Sequence, residues 1–374
     1  MEENRFNYLD NLRFSLVALV ICHHANAAYG SIGGWKYVVH ERGGFVTDLL
    51  TNMFAGVTQA FFMSSFFMIS AYFTAASFDR KGAWGYAGRR LIRLGIPLLV
   101  YFYALSLVLQ YVIFQFKGQT EVGLVDFFFG PYVRYRSTGP LWFTFALLIF
   151  EGVYIVCRLA ADRFGRRPRA YPLPNDRHVL LFIVAIGIFT FLWRIWHPLT
   201  SFVLHLRLAF FPLYAAMFIF GLIAHRSGWF TQLTPKQANR WFMTSLAGIA
   251  AMPGIMVLNL ALGHDEVKFW GGFNWQSYVY AAWEPFLCVG INMKLIVLYR
   301  DRFNFSNAFT KRMAASSYTA YIFHAFFIVF ATYLFTFFSL GRLPEILLMW
   351  PVAIGSCFLF AEVVRRFPLL NKVL

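Results

Sequence analysis

The apolar stretch LRFSLVALVICHHANAAYG, residues 12–30, carries an arginine near its start and two histidines near its end. An ionisable side chain at the centre of a membrane helix costs at least about 2.5–3.5 kcal/mol, and such residues usually mark polar pathways. On an ideal α-helix Arg13 and His24 point within about 20° of each other, about 16 Å apart along the axis, whereas His23 points elsewhere. Asp10 precedes Arg13 by about one turn and is close enough to pair with it. Two interpretations of this helix face are open. It lines a polar pathway through the protein, or His24 is a structural histidine that is packed and hydrogen-bonded in the bundle.

A second basic pair lies in AGRRLIRLGIP, residues 87–97. Arg90 and Arg93 are three residues apart, so they share one helix face at the entrance of the third predicted span. Guanidinium groups bind phosphate oxygens in bidentate fashion, and the pair therefore suits a polyphosphate. The alternative is that both arginines belong to the ordinary excess of basic residues that flanks membrane helices on the cytoplasmic side. Spacing alone leaves both interpretations open.

Three other residues in or beside predicted spans have side chains that can bind or react. Glu284 precedes Pro285, whose ring frees a backbone carbonyl and kinks a helix, so this carboxyl group is a site candidate. His324 lies at the middle of its span and is a further candidate. Trp142 follows a glycine–proline turn, where the alternative role is that of an aromatic anchor at the membrane interface.

The elements that must position these residues are membrane helices. Of the 374 residues, 59% are hydrophobic and 13% are charged, which excludes a soluble protein of this length. Apolar runs long enough to cross about 30 Å of hydrocarbon recur throughout the sequence. We predict an all-α polytopic transmembrane helical bundle that forms a single membrane-embedded domain over residues 1–374. About ten spans are expected, with centres near residues 20, 65, 105, 150, 188, 217, 251, 287, 325 and 354.

The basic residues orient this bundle. With the N-terminus in the cytoplasm, cytoplasmic segments receive about two thirds of the 33 lysines and arginines, and both termini are then cytoplasmic. Topology and contact with anionic membrane lipids explain the net charge of +16, whereas charges spread over several loops argue against nucleic-acid binding. The four cysteines lack the spacing of metal ligands, so no metal is expected. We expect a multi-pass protein of the inner (plasma) membrane, with formation of a homo-oligomer left open.

Taken together, these features resemble the acyltransferase 3 family of integral-membrane acyltransferases. The shared features are the spacing Arg13-x10-His24, Arg90-x-x-Arg93, GPLWF before the fourth span, SSYTAYIFH in the ninth and QAFFMSSFFMISAYF in the second. YLDNLR, RLGIPLL and RRFPLLNKVL are most similar to the branch that includes the periplasmic glucan succinyltransferases. Two positions depart from the family pattern, because Ala71 replaces a common glycine and Pro140 replaces a histidine that often precedes the motif's leucine.

This resemblance implies transfer of an acyl group from cytoplasmic acyl-CoA to a hydroxyl group of an extracytoplasmic glycan. Succinyl-CoA or acetyl-CoA would be the co-substrate, and no metal would take part. An imidazole suits the role of general base because its pKa lies near neutrality, and His24 would fill that role. Four residues are candidates for catalysis: His24, Arg13, Glu284 and His324. Four residues are expected to bind the donor: Arg90, Arg93, Asp10 and Trp142.

Two other classes of function are compatible with the same residues. A secondary transporter would use the aligned arginine, glutamate and histidine side chains to relay protons or to bind an anionic solute. Transporters commonly show paired halves with broken spans, and no such repeat is visible in this sequence. A non-enzymatic membrane sensor or assembly subunit is the third possibility. Acyl-CoA bound at Arg90 and Arg93 would distinguish the first function from the other two.

Overall fold

All regular structure in the described part of the chain is helical. The computed structural model describes residues 6–39, 44–119, 121–166, 168–338, 340–371 and 373, and no β-strand occurs within them. This confirms the predicted all-α class. We number the ten described helices of eleven residues or more in chain order: α1 (Asn7–Ala27), α2 (Phe45–Arg90), α3 (Ser106–Phe116), α4 (Trp142–Arg163), α5 (Asp176–Trp196), α6 (Phe211–Ser227), α7 (Pro235–Ala261), α8 (Trp275–Arg302), α9 (Ala308–Phe335) and α10 (Arg342–Val364).

Eight helical stretches among the described residues are long and apolar enough to cross a membrane, as in a multi-pass membrane protein. All ten predicted span centres fall inside helical stretches. One stretch, Phe45–Phe116, has 72 residues; at a rise of 1.5 Å per residue this is about 108 Å, enough for two predicted spans. α1 is not one of the eight, because polar residues such as Asp10 and Arg13 lower its mean hydropathy. The number of crossings and the cytoplasmic termini therefore stay predictions.

The 72-residue stretch is interrupted in two ways. Gly82 has a φ of 68°, a backbone conformation that favours glycine, and it divides α2. Further along, the π-helical turns Leu91–Gly95 and Tyr101–Leu105 flank the short α-helix Ile96–Val100. Pro97 has no N–H group to donate to the carbonyl group four residues earlier, so a regular α-helical ladder cannot continue here. Such π-helical turns are frequent at functional sites.

Contacts divide the chain into two compact units. Unit 1 comprises Met1–Arg13, Val57–Tyr86 and Phe150–Phe305, and unit 2 comprises Phe14–Gly56, Ala87–Ile149 and Ser306–Leu374. The expectation of one domain over residues 1–374 stays a prediction, and both ends of that range lie outside the described residues.

In unit 1, α8 packs against α5 and α7. Glycines allow the close approach of these helices: a Cβ atom on Gly187 would lie 3.1 Å from the Cα atom of Ala282, and one on Gly290 would collide with the carbonyl oxygen of Trp241. Small residues at helix–helix contacts are typical of membrane proteins. The buried core between these helices is formed by Val179, Ile183, Trp241 and Val289.

In unit 2, α9 packs against α10 and α3. The side chain of Asn307 accepts a hydrogen bond from the backbone N–H of Thr310, and the Thr310 hydroxyl accepts one from the backbone N–H of Asn307. This reciprocal capping fixes the start of α9, the helix that carries His324. The apolar core of the unit includes Tyr37, Leu109, Ile113, Ala325 and Val329.

Candidate active site

Two histidines from distant parts of the sequence meet in unit 2. Nδ1 of His24 on α1 lies 2.8 Å from Nε2 of His324 on α9. Their rings are stacked, with centroids 4.9 Å apart and 11° between the planes. His324 is fully buried, whereas His24 is only half-buried. The structure thus brings together two of the predicted catalytic residues and leaves one of them accessible.

The hydrogen bonds of this histidine pair determine which nitrogen carries each proton. Nδ1 of His324 lies 2.6 Å from the backbone carbonyl oxygen of Tyr321, and since a carbonyl oxygen only accepts, this nitrogen is the protonated one. In a neutral His324, Nε2 is then an acceptor, so Nδ1 of His24 donates to it. Nε2 of a neutral His24 is left with its lone pair. The arrangement therefore makes this nitrogen able to accept a proton.

The loop that follows α1 contributes an aromatic ring stacked on His24 and a half-buried cation. The indole ring of Trp35 stacks on His24 with centroids 4.6 Å apart. The next residue, Lys36, donates from Nζ to Oγ of Ser137 at 2.7 Å. Burial lowers the pKa of Lys36 to about 8, because desolvation penalises the charged ammonium group. A lysine in a loop carries no sequence signal of burial, so sequence reasoning missed Lys36.

The GPLWF segment packs against Tyr101 and is hydrogen-bonded to α9. Gly139 has a φ of 48°, and a Cβ atom there would lie 2.6 Å from the ring of Tyr101. Both observations require glycine at this position. The carbonyl oxygen of Pro140 accepts a hydrogen bond from the hydroxyl group of Tyr321. Because Tyr321 precedes His324 by about one turn of α9, the same helical turn positions GPLWF and the histidine pair.

Three predicted donor-binding residues also belong to unit 2. Arg90 is the last residue of α2, and Arg93 lies in the π-helical turn Leu91–Gly95. The positive charges of both arginines act on the hydroxyl group of Tyr318 on α9, so their guanidinium groups approach one residue in common. Trp142 is half-buried at the start of α4. Whether these three residues bind acyl-CoA stays a prediction.

The remaining predicted residues belong to unit 1. Nη1 of Arg13 lies 3.4 Å from Oδ1 of Asp10, the spacing expected for residues one turn apart. Glu284 on α8 is buried, and its Oε2 accepts a hydrogen bond from Nη2 of Arg194 on α5 at 2.5 Å. The sequence does not connect Arg194 to Glu284, because the two residues lie 90 positions apart on different helices. In the described part of the chain, no group of three or more histidine, cysteine and acidic side chains could hold a metal ion.

Comparison with protein families decides the class of this protein. A family model described as an acyltransferase domain, Acyl_transf_3, matches residues 6–362. The chain belongs to the acyltransferase 3 family. This makes it a membrane acyltransferase, and an enzyme. No curated protein and no solved structure matches the chain.

Several motifs that resemble the acyltransferase 3 family lie in unit 2, where they are grouped around α9. SSYTAYIFH supplies Tyr321 and His324 from α9 itself, and GPLWF contacts Tyr321. Pro140 stands where acyltransferase 3 members often have a histidine, and here that residue offers only its backbone carbonyl group to the site. The second histidine of the pair, His324, is 300 positions away from His24 in sequence. Helical spacing within one span carries no signal for such a contact.

Proposed function

We propose that this acyltransferase moves an acyl group from cytoplasmic acyl-CoA to a hydroxyl group of an extracytoplasmic glycan. The observation that supports the proposal most directly is the His24–His324 pair, which leaves Nε2 of the half-buried His24 as a proton acceptor. The resemblance to the periplasmic glucan succinyltransferase branch supports a glycan acceptor. It also supports succinyl-CoA or acetyl-CoA as the donor.

In the proposed reaction, the acceptor hydroxyl oxygen attacks the carbonyl carbon of the thioester. Nε2 of His24 takes the hydroxyl proton as the new C–O bond forms, and loss of this proton raises the electron density on the attacking oxygen. The C–S bond then breaks, and His24 returns the proton to the departing sulfur. The products are an ester and free CoA thiol, and His24 is again neutral.

His324 acts through His24 in this scheme. While His24 carries the extra proton, its Nδ1–H group still donates to Nε2 of His324. A hydrogen bond from a charged donor is stronger than one from a neutral donor, so the pair stabilises the imidazolium that forms during the reaction. The backbone carbonyl of Tyr321 holds the far proton of His324. His324 is thus a positioning residue, comparable in role to the aspartate that orients histidine in a catalytic triad.

The donor is proposed to lie with its phosphate groups against Arg90 and Arg93. Arg90 is half-buried and Arg93 is exposed, so both can reach a ligand that arrives from water. Guanidinium groups suit phosphate because they offer paired N–H donors. We assign Trp142 to the same donor. The protein would lie in the inner (plasma) membrane with both termini in the cytoplasm, as the positive-inside rule predicts.

The proposed function is tested with the purified full chain in detergent or in lipid nanodiscs. Succinyl-CoA and acetyl-CoA are supplied separately, with and without an oligomeric glucan, and the released CoA thiol and the mass of the glucan are measured. We expect thiol release that depends on the glucan, with a matching gain of one acyl mass. If no acyl-CoA is consumed while proteoliposomes accumulate an anionic solute, the transporter explanation replaces this one.

A further inference from the structure

A second polar cluster is buried in unit 1, and the proposed acyl transfer does not use it. It consists of Arg194 on α5, Arg207 just before α6, Tyr214 on α6, and Tyr280 and Glu284 on α8. We call these five residues the arginine–tyrosine cluster. The guanidinium carbon of Arg194 lies 5.3 Å from the ring centroid of Phe210 and 5.2 Å from that of Tyr280. Aromatic rings therefore cover Arg194, which is fully buried.

The fixed charges of the cluster do not cancel. Arg194 forms an ion pair with Glu284, and its Nε donates to the carbonyl oxygen of Ala209 at 3.2 Å. Arg207 acts electrostatically on Tyr214 and Tyr280, and no carboxylate takes part in its interactions in the described part of the chain. Two guanidinium groups and one carboxylate leave one positive charge without a counter-ion. A charge in a low-dielectric site is costly unless it is paired, and half-buried Arg207 bears part of that cost.

Two hydrogen-bond donors of the cluster are also unused. Nη1 of Arg194 and Nε of Arg207 are buried and have no hydrogen-bond partner among the described residues, and the same holds for one acceptor of the cluster, Oε1 of Glu284. A buried donor without a partner costs about 1–3 kcal/mol, and charged donors cost more. Native proteins satisfy nearly all such groups, so an unsatisfied pair of charged donors indicates that a partner completes the site.

We propose that the arginine–tyrosine cluster is a binding site for a carboxylate group. One surplus positive charge is neutralised by a group with a single negative charge, whereas a phosphate dianion would give the occupied cluster a net negative charge. The planar fork of N–H donors on arginine matches the two oxygens of a carboxylate. The hydroxyl group of Tyr214 accepts a hydrogen bond from Nε2 of Gln59 at 3.0 Å, and the hydroxyl groups of Tyr214 and Tyr280 interact electrostatically with both arginines.

The ligand reaches this site through Arg207. Arg207 is half-buried and follows the loop after α5, whereas Arg194 is fully buried. The carboxylate therefore contacts Arg207 first, and Arg194 adds its charge from the interior. Such a group is carried either by a small soluble acid or by a lipid headgroup such as phosphatidylserine. Both sources share the same chemistry.

The proposal is tested by ligand-dependent thermal stability of the full chain in zwitterionic nanodiscs. Acetate is the probe, and chloride at equal ionic strength is the salt control. We expect acetate to raise the melting temperature of the wild type. Arg207→Gln should raise the acetate concentration for half of this effect by at least about tenfold, because it removes a charge-assisted bond. Arg240→Gln is the matched control, since it removes an exposed arginine of unit 1 that pairs with Asp176 at the surface.

A second variant distinguishes weaker ligand binding from loss of folding. Arg194→Gln alone would leave Glu284 buried without its partner, so it is combined with Glu284→Gln to keep that pair neutral. The double variant should remain folded and bind acetate more weakly than the wild type.

Nanodiscs that contain phosphatidylserine distinguish the two sources of the carboxylate. A lipid ligand raises the melting temperature in an Arg207-dependent way, and adding acetate then has no further effect. An effect that chloride reproduces, or that Arg207→Gln leaves unchanged, would overturn the proposal and make the cluster a structural ion pair only. No acyl transfer is measured, so this result is independent of the proposed function.

Discussion

The proton positions of the histidine pair in unit 2 depend on two consecutive hydrogen bonds that join three residues. The carbonyl oxygen of Tyr321 holds the proton of His324, and His324 in turn holds the proton of His24. A lone histidine in water exchanges its proton between both ring nitrogens, whereas this chain of bonds selects one tautomer. The selection matters because only an unprotonated nitrogen of His24 can act as a base.

Replacing His324 tests this dependence. His324→Phe keeps a ring of similar size but removes the acceptor, so the tautomer of His24 is no longer fixed. We expect kcat to fall at least about 10-fold, part of the roughly 10²–10⁴-fold contribution of a general base, with a smaller change in KM. His324→Gln, whose side-chain oxygen can accept the same bond, should recover part of the loss. Equal losses of kcat in both variants, together with lower melting temperatures, would reduce His324 to a packing residue.

Lys36 predicts a pH dependence of stability. Its pKa is about 8 in the folded protein and about 10.4 in an unfolded chain. Between these values the unfolded chain binds a proton that the folded chain has lost, so the free energy of unfolding rises with pH in this window. At pH 7 the half-buried ammonium group therefore lowers stability, and Lys36→Met should raise the melting temperature there.

The stability gain from Lys36→Met should shrink as the pH rises from about 8 to about 10. Melting temperatures across this range measure it. Lys117→Met, which removes an exposed lysine of the same unit, is the matched control. A gain that stays constant with pH would show that the effect of Lys36→Met comes from packing and not from the charge.

At the level of elements, helices could be predicted and their contacts could not. Membrane spans require about 20 apolar residues, so hydropathy alone locates them, and each predicted centre falls in a helical stretch. Proline and glycine explain the π-helical turns around Pro97 and the kink at Gly82, but the sequence alone did not predict either feature. The alignment of Arg13 with His24 is a prediction from spacing within one helix. The contact of His24 with His324 joins different helices, and the residue spacing within a single helix cannot predict it.

The end of α2 and the π-helical turn after it predict a graded effect on donor binding. Arg90→Ala and Arg93→Ala should each weaken acyl-CoA binding by roughly 1.5–3 kcal/mol, the range for loss of a hydrogen bond to a charged group. Arg89→Ala should matter less, because its direction differs by about 100° from that of Arg90. Titration of the three variants with CoA measures this order. Equal affinities would leave the arginines with the ordinary role of basic flanks on membrane helices.

For the whole molecule, the family match over residues 6–362 covers most of both units. Composition could predict the class of protein because a chain with 59% hydrophobic residues has no soluble alternative. The division into two units could not be predicted, because it runs through α1, α2 and α4. Hydropathy finds no boundary inside a continuous helix.

The orientation of the whole chain in the membrane is a further prediction. Arg166 and Arg302 should face the cytoplasm, and the loop that contains the exposed Phe273 should face the opposite side. Single cysteines at these three positions, in a chain whose four native cysteines are replaced, are treated with a membrane-impermeant thiol reagent in intact cells. We expect labelling at position 273 only. Labelling of position 166 or 302 from outside would contradict the predicted topology.

Turnover of two neighbouring histidine variants tests the central claim most directly. His24→Ala removes the proposed base, whereas His23→Ala removes a buried histidine whose ring meets that of His24 edge-on. Acyl transfer, CoA affinity and melting temperature are measured on both variants and on the wild type. We predict that His24→Ala loses more than about 10²-fold in turnover while its CoA affinity and melting temperature stay near those of the wild type. His23→Ala should keep much of its turnover. Substantial transfer by His24→Ala, or a parallel loss of transfer, affinity and stability, would contradict the assignment of His24 as the base.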